Sequence, residues 1–490
     1  MTLFKRRNVD MTNGPLLVKI LVFALPLILT NLLQSLYNAA DMIVVGLSAE
    51  NDAVGAIGTS SSFVQLLNNL FIGLAVGATV VVARHIGAGE LEKANVAAHT
   101  SAVVGLVCGV IAGTIGIVFA RPMMVLLGAE GRLLDLSIIY LRIYCAAMPF
   151  HALSNYAIAV YRAKGDTGTP LVVLAGTGLL NVLLNLFFVL VCNMSVEGVA
   201  LATGVAALTS TAVLYGGLMR DNGPCRFSFK KLCVKGAEVA EILRIGIPAG
   251  IQNALFSVSN LLIQSSILKV NDLKVTDLHL ENRADYYAPV VKGNAAAANL
   301  GTISAIAAGS TGNATVSFTG QNLGADKPER VWRVLGCSYL IGAVGSIAIA
   351  AVVCFGRDVW LGLYGVRYIE GDALAEIAYR TGVIRIWIVA SFYVLDMAVN
   401  VGAGALRGMG KSLSSTLVSL FGICFFRVVW ILTVFRHLAA IKSPYMLESI
   451  YIAYPISWVL TGAAQFALAA VILRRLIRQK REREAEAPTA

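Results

Sequence analysis

Long runs of apolar residues recur along this chain, and polar residues gather in the short stretches between them. Each run covers about 24 to 30 residues, enough for a helix to cross about 30 Å of hydrocarbon at about 1.5 Å per residue. The runs lie near 18-45, 54-83, 96-120, 136-161, 169-192, 196-219, 241-268, 293-321, 333-356, 376-405, 413-436 and 449-474. The runs are continuous and lack the alternation of apolar and polar residues that is typical of the strands of a membrane β-barrel. The pattern predicts an all-α polytopic membrane protein with twelve transmembrane helices.

Two of these spans share a proline and a set of spaced polar residues. ILVFALPLILTNLLQSLYN begins at Ile20, and ILRIGIPAGIQNALFSVSN begins at Ile242. Pro26 and Pro248 occupy equivalent positions, and RHIGAGELEK at 84-93 resembles QNLGADKPER at 321-330. The repeat predicts two pseudo-symmetric six-helix lobes, with Pro26 and Pro248 as hinge candidates.

The loops between the spans suggest where the domains begin and end. We predict a cytoplasmic N-terminus at 1-17, an N-lobe of helices 1-6 at 18-219, a cytoplasmic connector at 220-240, a C-lobe of helices 7-12 at 241-474 and a cytoplasmic basic tail at 475-490. A polar segment near 269-292 has no counterpart of comparable length in the first half. It predicts an extracellular insertion, which could be a lid or a neutral surface segment.

Composition and charge support this topology. Hydrophobic residues make up 57% of the 490 residues and charged residues 14%, which is too apolar for a soluble protein of this size. The net charge of +11 is dispersed over loops on one side of the predicted membrane, so both termini are predicted to be cytoplasmic in a multi-pass protein of the cell (inner) membrane. This dispersion argues against nucleic-acid binding, whereas the basic connector predicts contact with anionic membrane lipids.

Asp41 is the principal candidate in the first half. A lone carboxylate inside a membrane helix costs about 2.5 to 3.5 kcal/mol, so a Na⁺ ion, an exchangeable proton or a structural hydrogen bond must offset it. Asn181 and Asn185 are four residues apart and therefore share a helix face, and Thr203 lies in the next span. Their oxygens suit Na⁺, although such side chains also bond simply across helices.

In the second half the candidates are Asp396, Asn400 one turn later, and Arg427 in the eleventh span. Arg385 lies in the tenth span with Asp396. A structural salt bridge between Asp396 and Arg427 and a direct role in substrate or ion binding are both open.

Motifs for catalysis and for cofactors are not evident in the sequence. GALRGMGKS at 404-412 resembles a phosphate loop, but Ala405 stands where that motif requires glycine. The cysteines and histidines lack metal-ligand spacing, so no cofactor is predicted. A membrane enzyme is therefore disfavoured.

Several strings together resemble one family over almost the whole chain. They are FALPLILTNLLQSLYNAADMIVVG at 23-46, LFIGLAVGATVVVARHIGAG at 70-89, YRAKGDTGTP at 161-170, SFTGQNLGA at 317-325 and LRGMGKS at 406-412. The chain resembles the multidrug and toxic compound extrusion (MATE) transporters of the bacterial multidrug efflux type. The resemblance implies a monomer of two lobes in a V shape around a central cavity, which exports organic cations in exchange for Na⁺ or H⁺.

The resemblance also assigns site residues. Asp41 matches the carboxylate of the family's amino-terminal cation site, Asn181 and Thr203 match its amide and hydroxyl ligands, and Asp396 matches the acidic residue of helix 10. Asn185 stands where many members have a second aspartate, and a carboxylate sometimes found in helix 7 is also missing. With one formal charge Na⁺ would be held more weakly, so the coupling ion is open between Na⁺ and H⁺.

These observations predict a secondary active multidrug efflux transporter for amphipathic, mostly cationic organic compounds. A lipid-linked intermediate or polysaccharide flippase is the first alternative, which would need a large cationic cavity, and the sequence suggests few buried arginines. A non-transporting membrane receptor or scaffold is the second alternative.

Overall fold

A computed structural model describes residues 9–46, 50, 52–276 and 288–486, and within them the fold is entirely helical. The α-helices are α1 (Leu16–Val45), α2 (Ala53–Gly87), α3 (Leu91–Val118), α4 (Ala120–Leu126), α5 (Gly131–Ala146), α6 (Met148–Ala163), α7 (Gly168–Leu186), α8 (Val196–Met219), α9 (Gly236–Thr276), α10 (Pro289–Gly324), α11 (Pro328–Phe355), α12 (Arg357–Leu363), α13 (Ala373–Val389), α14 (Tyr393–Gly408), α15 (Ser412–Ser419), α16 (Phe426–Trp430), α17 (Arg436–Ala440) and α18 (Met446–Glu486). The described residues thus confirm the all-α polytopic fold class.

The long helices coincide with the predicted spans. In the described part of the chain, nine helices are long and apolar enough to cross a membrane, and ten if the bent pair α5 and α6 forms one span. The two other predicted spans, 241-268 and 293-321, fall inside α9 and α10, whose polar residues dilute their apolar character. Of the predicted insertion at 269-292, residues 277–287 lie outside the described residues, whereas its two ends are helical, since α9 is described to Thr276 and α10 begins at Pro289.

Three of the predicted spans are interrupted helices. The fourth bends by 47° where α5 ends and α6 begins, and Pro149 occupies the first turn of α6, where its missing N–H costs no helical hydrogen bond. A 3₁₀ turn, Ala390–Phe392, joins α13 to α14. The eleventh span alternates between α15, α16 and α17 and two π-helical turns, Leu420–Phe425 and Ile431–Phe435. The hydropathy pattern does not reveal these interruptions, because each span is a single apolar run.

Two short helices extend the internal repeat beyond what the sequence predicted. α4 follows the third long helix of the first half, and α12 follows the third long helix of the second half. Their sequences, ARPMMVL and RDVWLGL, share an arginine near the start but little else. With seven residues each, they are too short to show a helical period next to a long apolar run.

The chain forms two compact units that do not coincide with the halves of the repeat. Unit 1 comprises Met1–Ala254, Val316–Val331 and Arg407–Leu413, and unit 2 comprises Leu255–Thr315, Trp332–Leu406 and Ser414–Ala490. The first boundary therefore lies inside α9, and the predicted connector at 220-240 belongs wholly to unit 1. The lobes predicted from the duplication stay a prediction about sequence symmetry.

Small residues allow α2 and α9 to pack closely within unit 1. Gly73 of α2 lies against the backbone of Gly250, and Gly77 lies against the carbonyl of Ile242. Gly246 of α9 reciprocally faces the backbone of Leu74. A side chain at these glycines would meet backbone atoms, so this close helix approach depends on small residues, as is common between membrane helices.

The connector is anchored to unit 1 by its aromatic and sulfur side chains. The Phe227 ring stacks on His99 with centroids 4.9 Å apart, and the Ser228 amide donates to His99 Nε2 at 3.0 Å. Cys225 is buried, and burial raises the pKa of its thiol to about 12. Lys230 and Lys231 are exposed, so the predicted contact with anionic lipid would be made by this part of the connector.

The segment before α1 is held inside unit 1 by hydrogen bonds to its backbone groups. The Val9 amide donates to the Gly165 carbonyl at 3.1 Å, and Asn322 Nδ2 donates to the Met11 carbonyl at 3.0 Å. Lys327 Nζ donates to the Thr12 carbonyl at 3.2 Å. Residues 9–14 are thus fixed to the end of α10 and to the loop after α6.

Candidate functional site

The four residues predicted for the first site lie together on α1, α7 and α8. Asn185 Nδ2 donates to Asp41 Oδ1 at 2.5 Å and to Asn181 Oδ1 at 3.4 Å. Asn181 Nδ2 donates to Thr203 Oγ1 at 3.3 Å, and Thr203 Oγ1 donates to the Val199 carbonyl at 2.9 Å. A single hydrogen-bonded chain therefore connects the carboxylate of α1 to the hydroxyl of α8.

The hydrogen-bonded series of side chains from Asp41 to Thr203 is shielded from solvent at its centre. Asn185 is fully buried and Asn181 is 6% exposed, whereas Asp41 and Thr203 are half-buried. Asn185 Oδ1 is buried and has no hydrogen-bond partner among the described residues. A buried oxygen without a donor is costly, so the site can accept a further donor or a cation.

Tyr37 fixes the position of α1 against α7, one helical turn before Asp41. Its hydroxyl donates to the Ala175 carbonyl at 3.0 Å, and its ring occupies the space that a side chain at Gly178 would need. Because residues 37 and 41 share a helix face, this contact also sets the distance from Asp41 to Asn185.

Two tyrosines of α5 lie near the Asp41 carboxylate. Tyr140 and Tyr144 both interact electrostatically with Asp41, and their rings stack with centroids 6.1 Å apart. Tyr144 also accepts a hydrogen bond from Asn68 Nδ2 at 3.0 Å and stacks on His151 at 5.0 Å. Sequence reasoning missed these residues. The signal was present, since polar aromatic residues at 140 and 144 recur one turn apart in an apolar span.

The second predicted group surrounds Arg427, which is only 5% exposed. Its Nε donates to Ser457 Oγ at 3.1 Å, and its guanidinium carbon lies 4.1 Å from the centre of the Tyr454 ring. Asp396 attracts Arg427 electrostatically, but within the described residues no direct ion pair joins them. Asn400 Nδ2 donates to the Asp396 backbone carbonyl, one turn earlier on the same helix, at 3.0 Å.

Arg385 also belongs to this group, although no role was predicted for it from the sequence. Its Nη1 donates to Asn294 Oδ1 at 2.5 Å, and Tyr451 donates to the same oxygen at 3.0 Å. The guanidinium lies 5.5 Å from the Tyr451 ring centre and 5.6 Å from that of Tyr454. The buried Asn294 of α10 and the tyrosines of α18 hold it in place, and both are far from Arg385 in sequence.

The two hinge candidates lie inside long helices. α1 is helical on both sides of Pro26, and Thr30 Oγ1 donates to the Pro26 carbonyl at 2.7 Å. Pro248 lies inside α9 in the same way, and Pro455 is a third interior proline, in α18. Bending at Pro26 and Pro248 stays a prediction.

Comparison with known proteins places this architecture in one family. The MatE family model matches residues 26–187 and 290–432. The probable multidrug resistance protein YoeA of Bacillus subtilis is 26% identical over 82% of this chain and 83% of its own length. The probable multidrug resistance protein NorM of Thermotoga maritima is 24% identical over 83% and 82%.

A solved structure shares the fold over nearly the whole chain. It is the outward-facing conformation of a multidrug resistance MATE family transporter of the MOP superfamily, with a TM-score of 0.84, 19% identity and coverage of 97% of this chain and 99% of the other. The family model includes Asp41, Asn185, Asp396 and Arg427, and it covers well over half of the sequence. This multi-pass membrane protein is a member of the MatE family.

Proposed function

We propose that this protein is a secondary active multidrug efflux transporter, which exports amphipathic, mostly cationic organic compounds in exchange for Na⁺ or H⁺. Its family membership and the names of its relatives as multidrug resistance proteins support transport. Ion coupling is supported by the series of hydrogen bonds from Asp41 through Asn185 and Asn181 to Thr203, in which the two asparagines are buried. The proposed setting is the cell membrane, with both termini cytoplasmic, membrane lipids around a monomer and no cofactor.

The donor set of this chain suits either coupling ion. Na⁺ would be coordinated by side-chain oxygens of Asp41, Asn181 and Thr203. A flip of the Asn185 side-chain amide, which exchanges Nδ2 and Oδ1, would add Oδ1 as a ligand. A proton would neutralise Asp41 directly, and the donated bond from Asn185 would then lose its charge-assisted strength. The described site holds one carboxylate, that of Asp41, so either ion cancels its whole formal charge. This neutralisation would change the strength of the hydrogen bonds among α1, α7 and α8.

Export then draws on the ion gradient and the membrane potential. Moving one charge across 100 mV contributes about 2.3 kcal/mol, so an exchange that carries net positive charge inward drives export without ATP. Substrate contacts would come from aromatic side chains and from an aspartate, either Asp41 or Asp396.

A lipid-linked intermediate or polysaccharide flippase is the second candidate. Such a substrate carries phosphate groups, and the buried Arg427 with the adjacent Arg385 supplies positive charge within the membrane spans. This observation strengthens the alternative relative to the sequence, which suggested few buried arginines.

Reconstitution in liposomes tests the proposal. Ethidium transport is measured with an imposed Na⁺ gradient and, separately, with an imposed pH gradient. We expect one gradient to drive transport by the wild type and Asp41→Asn to reduce that rate by at least about tenfold, because the neutral amide can neither take a proton nor attract Na⁺.

The matched control is Asp135→Asn, the same change at an exposed position of α5. It should leave transport unchanged. If neither gradient drives the wild type, the antiporter proposal is wrong. If Asp41→Asn transports as well as Asp135→Asn, Asp41 is not the coupling residue.

A further inference from the structure

We propose that His85 is a proton-binding site, separate from Asp41, and that its protonated ring holds the start of α9 against the end of α2. Loss of the proton weakens this contact, so pH on the predicted cytoplasmic side controls how firmly the start of α9 is held. The site is regulatory, because this proton is not exchanged for the exported compound. The inference therefore goes beyond the proposed transport function and does not depend on it.

Both ring nitrogens of His85 lie next to carboxylate oxygens. Nδ1 is 2.9 Å from Glu90 Oε2, and Nε2 is 3.4 Å from Glu238 Oε1. A neutral imidazole carries a single N–H, so one of its nitrogens would present a lone pair to a carboxylate. The imidazolium ring carries an N–H on both nitrogens and attracts both oxygens. The two contacts therefore fit the protonated ring.

Burial makes the charge of His85 important for Glu238. The side chains of His85 and Glu238 are 16% and 13% exposed, and Glu238 Oε2 is buried without a hydrogen-bond partner among the described residues. A carboxylate in such surroundings is costly unless a positive charge lies beside it. Within the described chain, His85 is the group that forms an ion pair with Glu238.

The charged groups around His85 leave one negative charge unbalanced until the ring is protonated. They come from the end of α2, the start of α3 and the start of α9, and they are Arg84, Glu90, Lys93, Glu238 and Glu241. Arg84 pairs with Glu241, and Lys93 Nζ lies 2.7 Å from Glu90 Oε1. Three carboxylates thus face two permanent cations, and a proton on His85 supplies the third positive charge.

Two further segments of unit 1 pack against the end of α2. The Gln321 carbonyl of α10 lies against Gly87, and Gly410 lies against the Arg84 guanidinium. The charged residues of these segments form no hydrogen bond or ion pair with His85 in the described part of the chain; they are Asp326, Lys327, Arg407 and Lys411. The carboxylates of Glu90 and Glu238 are therefore the charges in direct contact with the ring.

The helix ends favour the same charges. His85 lies in the last turn of α2 and Glu238 in the first turn of α9. The partial charges of the backbone favour a cation at a helix C-terminus and an anion at a helix N-terminus. Further along, α2 and α9 pack through Gly77 and Gly246. The ion contacts extend this close interface to the ends of both helices.

A rise in pH should act on the start of α9 before it acts on the rest of the helix. Neutral His85 keeps at most one favourable carboxylate contact, and the other becomes repulsive. The first turns of α9 then open more often, while the glycine contacts at Gly77 and Gly246 keep the following turns in place. The contact is therefore strongest at acidic pH and weakens as the pH rises.

Amide hydrogen exchange tests this inference on the purified full-length protein in phosphatidylcholine nanodiscs. Exchange is measured at about pH 6 and about pH 9, on either side of the range in which imidazole changes its charge. Results are expressed as protection factors, which remove the intrinsic effect of pH on exchange. The segment of interest is 239–246, where the Val239 amide donates to the Lys235 carbonyl at 3.0 Å.

We expect residues 239–246 of the wild type to be protected at least about fivefold more at the lower pH. In His85→Gln the two protection factors should agree within about twofold, because glutamine cannot take up a proton. Glu238→Gln should also remove most of the pH difference, because the neutral amide attracts imidazolium much less than a carboxylate does. This second variant keeps the test decisive if His85→Gln does not fold.

Matched controls make the same substitutions at exposed positions. His437→Gln lies on α17 and Glu92→Gln on α3. Both should keep the pH difference of the wild type. Equal protection of wild-type residues 239–246 at the two pH values would overturn the proposal, and so would a pH difference that persists in His85→Gln.

The same measurement on Asp41→Asn separates the two proton sites. The pH difference at residues 239–246 should persist in this variant, because Asp41 is not in contact with His85. If the difference is lost in Asp41→Asn and kept in His85→Gln, the proton acts at Asp41 and the proposal is wrong. A lack of gradient-driven ethidium transport overturns the proposed function, whereas the exchange experiment still reports on His85.

Discussion

At the scale of residues, the first site depends on four side chains, Asp41, Asn185, Asn181 and Thr203, which a single series of hydrogen bonds connects. An aspartate inside an apolar span and two asparagines one turn apart are visible in the sequence because membrane helices rarely carry such residues. The order of the hydrogen bonds is not visible, because it depends on how α1, α7 and α8 pack. The arginine group shows the same limit, since Arg385 acquires its place from Asn294 and Tyr451, at distant positions.

Replacing Asn185 with aspartate tests whether Na⁺ binds at this site. Asn185→Asp places a second carboxylate next to Asp41, where the amide now donates at 2.5 Å. Without Na⁺ the like charges should lower thermal stability at neutral pH, and the Na⁺ concentration that gives half-maximal stabilisation should fall about tenfold. The measurement is a Na⁺ titration of the melting temperature with K⁺ as the reference salt.

Asn193→Asp is the control for this titration, because it makes the same substitution at an exposed position beyond α7. It should respond to Na⁺ like the wild type. If Asn185→Asp and Asn193→Asp respond identically to Na⁺, Na⁺ does not bind at this site and H⁺ is the coupling ion.

At the scale of elements, the apolar runs predicted where the long helices lie but not how they are interrupted. The predicted span 196-219 coincides with α8, because Ser195 and Arg220 flank a mostly apolar run. The span 413-436 gave no sign of its π-helical turns, which conserve hydropathy while shifting the register of the following residues. Hydropathy measures how apolar a segment is, and a change of helical register leaves it unchanged.

The packing of α1 on α7 gives a prediction at this scale. Gly178→Ala should destabilise the protein by about 1 to 3 kcal/mol, because the new methyl group would overlap the Tyr37 ring. The displaced ring should also separate Asp41 from Asn185. Thermal unfolding monitors the first effect, and the transport assay monitors the second.

Gly176→Ala is a close control, since it lies on the same helix with no atom within 4 Å of the added carbon. It should be neutral or slightly stabilising because alanine favours helix over glycine. The explanation fails if the two alanine variants melt at the same temperature. Gly178→Ala combined with Tyr37→Ala should recover part of the lost stability.

At the scale of the whole molecule, the duplicated sequence and the compact units divide the chain differently. The repeat predicted a boundary at the 220-240 connector, whereas the compact units change at Ala254 and Leu255 inside α9. Sequence similarity records which segments share an origin. Compactness records which segments pack together, and here the ends of α10 and α14 pack in unit 1.

The anchored N-terminal segment gives a prediction at this scale. Asn322→Ala removes the bond to the Met11 carbonyl and should speed amide hydrogen exchange in residues 9–14 at least about fivefold, equivalent to about 1 kcal/mol of lost local stability. Asn299→Ala, at an exposed position of the same helix, should leave that exchange unchanged. Equal exchange in the two variants would show that Asn322 does not hold the segment.

The composition of unit 1 also constrains how the protein is made. Residues 407–413 belong to this unit, yet they follow Ala254 by about 150 residues in the chain. At about 5 to 20 residues per second, their synthesis comes roughly 8 to 30 s after that of Ala254. The first helices are therefore in the membrane before part of their packing surface is covered. A fragment that ends at the connector lacks the later segments of unit 1. We therefore expect the rate of translation between Ala254 and residue 413 to affect the folding yield of unit 1.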